Sequence, residues 1–131
     1  MDCSAGVSGI VEGPHDIRLI VMNGEVKLSY LRTPKPGTLL ANVAQGGGFR
    51  VLAVKDLPAE AVRLAQEVDA IFSSYSPRLV AVDFMFQAGK PYVTEINTRP
   101  GFPKPSTFSP EYAIQYYTYL SQMFAEALKK S

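Results

Sequence analysis

The sequence predicts an α+β domain: an antiparallel sheet of at least four strands, with two principal helices packed on one face. Three observations predict it. Two pairs of alternating apolar and polar runs, each pair divided by turn residues, read as β-hairpins. Two other segments carry helix start signals and apolar periodicity. No internal repeat divides the 131 residues, of which 47% are hydrophobic, enough apolar material for the core of a single domain spanning 1–131.

Residues 1–14 are rich in Gly, Ser and Pro and show little periodicity. The first hairpin follows: Asp16 to Met22 and Glu25 to Arg32 are joined by Asn23-Gly24, the preferred two-residue type I′ turn. Ideal pairing gives Ile17, Leu19 and Val21 a shared face with Val26, Leu28 and Tyr30, and turns Arg18 the other way. In that register Arg18 and Arg32 project to opposite faces, and both reach one site only if twist or a bulge re-aims Arg32.

Residues 33–49 form a long connection with Pro early and three glycines late, a length usually associated with function or disorder. Gly46-Gly47-Gly48 is not a phosphate-binding fingerprint, because no strand immediately precedes it and no Gly-Lys-Ser follows. A helix is expected over about 58–73, with Asp56 near its start, Pro58 in the first turn and Glu60 complementing the dipole. Its apolar residues Val62, Ala65, Val68 and Phe72 read as packing against the sheet. The last helix, about 110–129, carries Tyr112, Tyr116, Tyr117, Tyr119 and Phe124, a stripe that reads as core or as a subunit contact and leaves a homo-oligomer open.

The second hairpin, Leu79 to Phe86 and Tyr92 to Asn97 around Ala88-Gly89-Lys90, carries the most specific signal. With Asp83 opposite Glu95, Val82 faces Ile96, Phe84 faces Thr94 and Phe86 faces Tyr92, so one side is apolar. The other side collects Asp83, Glu95 and Asn97. A one-residue slip would mix the faces. Two carboxylates directly across a strand pair repel, so a cation should neutralise them. Two carboxylates and an amide carbonyl are hard oxygen donors suited to Mg²⁺ or Mn²⁺, with the remaining positions left to water and phosphate oxygens.

The formal net charge is +1 and the basic residues are scattered, which sets nucleic acid aside as a partner. No apolar run reaches membrane-spanning length and no signal peptide is apparent. The single cysteine, Cys3, excludes an internal disulfide and makes a cytoplasmic protein the simplest reading. Cys3 lacks an evident activating base. His15, beside Asp16, reads as a loop histidine before it reads as a base.

Asp16-Ile-Arg18, Asn42 with Gly46-Gly47, the hairpin carrying Asp83, and Glu95-Ile-Asn-Thr-Arg-Pro-Gly101 occur in an order that resembles the C-terminal half of an ATP-grasp domain. The similarity covers roughly residues 8–102 and is nearest to bacterial glutathione synthetases and ribosomal-protein glutamate ligases. It implies the C-terminal subdomain of that fold, with ATP as cofactor and Asp83, Glu95 and Asn97 as metal ligands. It makes 1–14 a remnant of the interdomain hinge, with Ser8, Gly9, Ile10, Val11 and Glu12 as nucleotide contacts. It makes Asp16 and Asn42 nucleotide contacts too, Arg18 and Arg32 contacts to phosphate or acyl phosphate, and 33–49 a mobile loop whose Gly46 and Gly47 approach substrate.

The implied chemistry is ATP-dependent ligation of a small-molecule or peptide carboxylate to an amine through an acyl phosphate. The segment Asn97-Thr-Arg-Pro-Gly…Ser106 is also similar to D-alanine–D-alanine ligase, where a serine at the position of Ser106 holds a substrate carboxyl. That enzyme carries an arginine two residues before the first metal aspartate, where Ala81 stands here, and the departure favours the glutathione-synthetase side. A whole ATP-grasp enzyme has a second subdomain roofing the site, and too few residues precede Asp16 to supply it. The expectation is a half-domain completed by a missing N-terminal subdomain or a partner chain. The alternative is a non-catalytic nucleotide-binding or assembly module.

Overall fold

The computed structural model describes residues 6–34, 48–103 and 108–129. Its elements in chain order are β1 (Asp16–Met22), β2 (Glu25–Thr33), β3 (Gly48–Leu52), α1 (Ala59–Ala70), β4 (Leu79–Gln87), β5 (Lys90–Asn97) and α2 (Pro110–Lys129), with a short 3₁₀ turn at Val54–Asp56. The strands form one sheet in the order β3-β2-β1-β4-β5, and every neighbouring pair is antiparallel. The α+β architecture expected from the sequence is present. Among the described residues no helix is long and apolar enough to cross a membrane.

The helices depart from expectation, lying on opposite faces of the sheet rather than on one. Helix α1 packs its Ala61 and Ala65 into a core with Ile17, Leu19, Val21, Val80, Val82, Phe84 and Phe86. Helix α2 packs Tyr112, Tyr116 and Met123 against Ile20, Met22, Leu28, Tyr30 and Ala81. Covered on both sides, all seven residues of β1 are buried. The physical reason is a second apolar patch on the sheet, which left bare would expose Ile20, Met22 and Leu28 to water.

A bulge creates that patch. The pairing runs Val21↔Val26 and then Ile20↔Leu28, so Lys27 is an extra residue and every later β2 side chain changes face. Leu28 and Tyr30 therefore share a side with Ile20 and Arg18, and not with Leu19 as ideal pairing predicts. The Asn23-Gly24 turn itself is as expected, both residues having positive φ (49° and 89°), the requirement of a type I′ turn. The turn is anchored from outside. Asn23 Oδ1 accepts from the Arg78 N–H (3.0 Å), the Asn23 N–H donates to the Arg78 carbonyl (3.0 Å), and Asn23 Nδ2 donates to the Met123 carbonyl (3.2 Å).

A second bulge lies in the other hairpin. Val82↔Ile96 and Asp83↔Glu95 pair as predicted, but Phe84 pairs with Val93, and Phe86 with Pro91. Thr94 is the extra residue, and its hydroxyl donates to the Asp83 carbonyl (3.2 Å). The turn is Ala88-Gly89, with Lys90 already in β5 and paired to Gln87. Part of the expected 33–49 connection is strand: Thr33 pairs with Gly48 and Arg32 with Phe49. Helix α1 stops at Ala70, three residues before its expected end, and turns follow.

Candidate functional site

The candidate site residues of β1, β2, β4 and β5 gather on the α2 side of the sheet, toward the end remote from the Asn23 turn. The β1–β2 bulge supplies the re-aiming of Arg32 that ideal pairing lacked, since Asp16↔Arg32, Arg18↔Tyr30 and Arg18↔Asp83 are now cross-strand partners. Arg18 grips Asp83 through two bonds: Nε donates to Oδ1 (2.7 Å) and Nη2 to Oδ2 (2.9 Å). Arg32 Nη2 donates to the same Asp83 Oδ2 at 3.0 Å and also to Asp16 Oδ2. Two carboxylates and two guanidiniums thus alternate in one network. Tyr30 is part of the wall, with the Arg32 guanidinium 5.8 Å from its ring centroid.

These charges are withdrawn from water, and burial shows in their acidities. Burial raises the Asp16 carboxyl to about 6, the nearby Asp83 charge adds to the rise, and Arg32 and Arg18 oppose it. Burial works against the charge on Arg18, but its hydrogen bond to Asp83 and the surrounding negative groups hold the guanidinium above its ordinary value. Burial raises the Tyr30 hydroxyl and pushes that of Tyr116 up to about 12. Asp16 Oδ1, Arg32 Nε and the Tyr116 hydroxyl are buried without a hydrogen-bond partner among the described residues. Ser29 Oγ, beside Leu19 on the other face, is unpaired too; atoms left unpaired in this way cost free energy.

Glu95 stands across from Asp83 and Asn97 across from Ala81, so the hairpin brings the three expected ligands to adjacent positions. Asp83 is buried while Glu95 is exposed. Among the described residues no three His, Cys, Asp or Glu side chains form a metal cluster; the set here is two carboxylates and an amide oxygen. A carboxylate offers about four lone-pair positions. Three on Asp83 are taken by arginine donors, which leaves one, on Oδ1, without a donor among these bonds. Asn97 Oδ1 accepts from the Arg99 N–H (2.8 Å) and keeps a second lone pair. The donors fit a hard divalent ion that also draws water or phosphate oxygens.

The remaining expected residues lie elsewhere. Ser8 to Glu12 form a tight loop closed by a Val7–Val11 bridge. Ile10, Val11 and Glu12 line a cavity with Leu31, Thr33, Gly48, Phe49 and Arg50, at the end of β2 that carries Arg32. Asn42, Gly46, Gly47 and Ser106 lie outside the described residues. His15 is structural: its Nε2 accepts from the Phe86 N–H (2.9 Å) and its Nδ1 lies 3.0 Å from the Gly13 carbonyl, so a neutral ring is satisfied on both sides. Tyr30 was missed as a site neighbour, although it precedes Arg32 by two residues and alternation places both on one face.

Known proteins share the sequence pattern and the fold of this chain. The chain is 30% identical over 86 residues to a probable alpha-L-glutamate ligase from Shewanella halifaxensis, an alignment covering 66% of this chain and 18% of that protein. The fold is shared with D-alanine–D-alanine ligase from Bacillus anthracis, solved with ATP, at a TM-score of 0.53 and 17% identity, covering 92% of this chain and 42% of that one. The chain therefore spans less than half the length of either. Residues 10–117 match the RimK-like ATP-grasp domain, and with so much of its length matched, this chain belongs to that family.

Proposed function

We propose that this chain forms the phosphate- and metal-holding half of an ATP-dependent carboxylate–amine ligase. The observation that carries the reading is the buried Asp16–Arg32–Asp83–Arg18 network placed beside Glu95 and Asn97, on a chain that belongs to an ATP-grasp family. In this reading Asp83, Glu95 and Asn97 hold Mg²⁺ or Mn²⁺. A divalent ion bound there supplies neutralisation of phosphate charge. Arg32, the more exposed of the two arginines, presents donors whose fork matches phosphate oxygens. Ser8 to Glu12 and Asn42 contribute nucleotide contacts, and Gly46, Gly47 and Ser106 substrate contacts.

The reaction is transfer of the γ-phosphoryl group to a substrate carboxylate, followed by displacement of phosphate from the acyl phosphate by an amine. Such chemistry asks the protein chiefly for positioning and charge neutralisation, which the network can provide without a side-chain nucleophile. The glutamate ligase named among the relatives makes a glutamate-class substrate the leading candidate. Ala81 supports that side of the family. It is fully buried in the cluster with Tyr112 and Tyr116, leaving no room for the arginine of the dipeptide-ligase pattern. A second subdomain, within the same protein or from a partner chain, completes the site.

Calorimetric titration of ATP with and without Mg²⁺ into the chain and its Glu95→Ala variant tests the reading. Binding that requires both Mg²⁺ and Glu95 is expected. Binding indifferent to either rejects the metal site. Metal-dependent binding by a protein that never turns over, even with its second subdomain, would instead support the non-catalytic nucleotide-binding module.

A further inference from the structure

The two arginines do not hold Asp83 alike. Arg18 uses Nε and Nη2 on both carboxylate oxygens, a fork-on-fork grip with its side chain 10% exposed. Arg32 offers one nitrogen, Nη2, shares it between Asp83 and Asp16, leaves Nε without a partner and is 18% exposed. A single shared bond is cheaper to surrender than a bidentate one. The charges point the same way. Two arginines balance Asp83 and Asp16 in the metal-free protein, and a divalent cation at Asp83 would create a local positive excess that a nucleotide's phosphates relieve.

Building on the metal site proposed above, we infer that Arg32 is an exchangeable counter-ion. In the metal-free protein it occupies an acceptor position of Asp83; when metal and nucleotide bind, it releases Asp83 and turns its free donors to phosphate. Asp16 is the pivot, because its bond to Arg32 Nη2 keeps the guanidinium within reach. Arg18 stays on Asp83 throughout and acts as a positioning residue, holding the carboxylate in orientation without touching the nucleotide. Arg32 sits on Oδ2 and the spare position is on Oδ1, so the built-in competition is one of charge: Arg32 weakens binding of the bare cation and strengthens binding of the cation–nucleotide complex.

The competition has a sign that a merely structural arginine would not show. Mn²⁺ alone, titrated by electron paramagnetic resonance, is expected to bind Arg32→Gln about tenfold more tightly than wild type. Arg99→Gln removes an exposed charge next to Asn97 and controls for general electrostatics, shifting affinity by less than about twofold. MnATP is expected to bind Arg32→Gln more weakly than wild type. In wild type, adding MgATP should move the Arg32 Nε–Hε NMR signal and speed or slow its exchange with water, while the Arg18 Nε–Hε, still bonded to Asp83 Oδ1, keeps its protection from exchange, a readout that survives if Arg32→Gln fails to fold. Glu95-dependent MgATP binding without tightening of Mn²⁺ in Arg32→Gln, or with an unmoved Arg32 signal, overturns the exchange and leaves the proposed function intact. Absence of Glu95-dependent MgATP binding in the folded chain overturns both.

Discussion

Two arginine–aspartate pairs, each with a buried carboxylate, sit at opposite ends of this sheet, and their chemistry is nearly identical. Arg18 binds Asp83 through Nε and Nη2 at 2.7 and 2.9 Å; Arg78 binds Asp69 through the same atoms, both at 2.9 Å. Both aspartate side chains are 2% exposed. Their surroundings differ. Around Arg78 the neighbours are neutral amides of Asn23 and the Tyr75 carbonyl, and no Asp69 or Arg78 atom is among the buried polar atoms left unpaired. That pair joins α1, the β1–β2 turn and the start of β4, and Asn23 extends the tie to α2. Around Arg18 stand a second carboxylate, a second guanidinium, an exposed Glu95 across the strand, and unpaired atoms on Asp16 and Arg32. Closed bonding fits a staple, and surplus bonding capacity fits the site proposed above.

The largest effects should separate the two ends. Arg78→Ala strands the buried Asp69 charge and is expected to cost roughly 3 kcal/mol of stability, read as a lower urea midpoint, with MgATP binding unchanged in the folded fraction. Asp83→Asn is expected to abolish MgATP binding as well as to cost stability, again roughly 3 kcal/mol, because two guanidiniums lose their shared counter-charge and the new amide NH₂ faces an arginine donor where Asp83 offered an acceptor on each oxygen. Intact binding in both variants would erase the distinction.

A smaller, pH-dependent effect sharpens it. The Asp16 pKa is raised to about 6 in the fold, from 3.8, so between those values the native state holds a proton that the unfolded chain has lost. Stability from this group is fully present below about pH 4 and is lost as pH rises through about 6. Asp16→Asn mimics the protonated form. Its urea stability relative to wild type should be flat below pH 4, climb between pH 4 and 6, and level off above, by an amount on the order of 3 kcal/mol. A difference independent of pH would mean Asp16 is not strained by its site. The smallest effect concerns neither end: Ala88 has φ +52°, a left-handed conformation costly for a residue with a Cβ. Ala88→Gly should stabilise by roughly 0.5 kcal/mol, measured by the same unfolding curves, without touching binding.

The parts of this arrangement legible in the sequence were those set by local chemistry. Asn23-Gly24 specifies its turn whatever surrounds it, and Asp83 opposite Glu95 follows from keeping Val82 and Ile96 on one face. The helix over Pro110 to Lys129 follows from its periodicity. The bulges were not legible, because an extra residue at Lys27 or Thr94 is chosen by what both faces must bury, and alternation alone cannot report two faces at once. Missing the Lys27 bulge carried the largest consequence. It misplaced Leu28 and Tyr30, hid the second apolar patch, and so put α2 with α1 instead of across the sheet over the site. Strand β3 was obscured by the glycines before it, since Gly48 to Leu52 owes its strand conformation to β2 rather than to its own composition.

The central claim is that one end of the sheet binds metal and nucleotide and the other holds the fold together. Paramagnetic line broadening of the backbone amide spectrum by MnATP tests it most directly. Signals of Arg18, Asp83 and Glu95 should broaden first, those of Asn23, Asp69 and Arg78 should stay sharp, and Glu95→Ala should abolish the effect. Broadening centred on Arg78, or spread evenly over both ends, would contradict it.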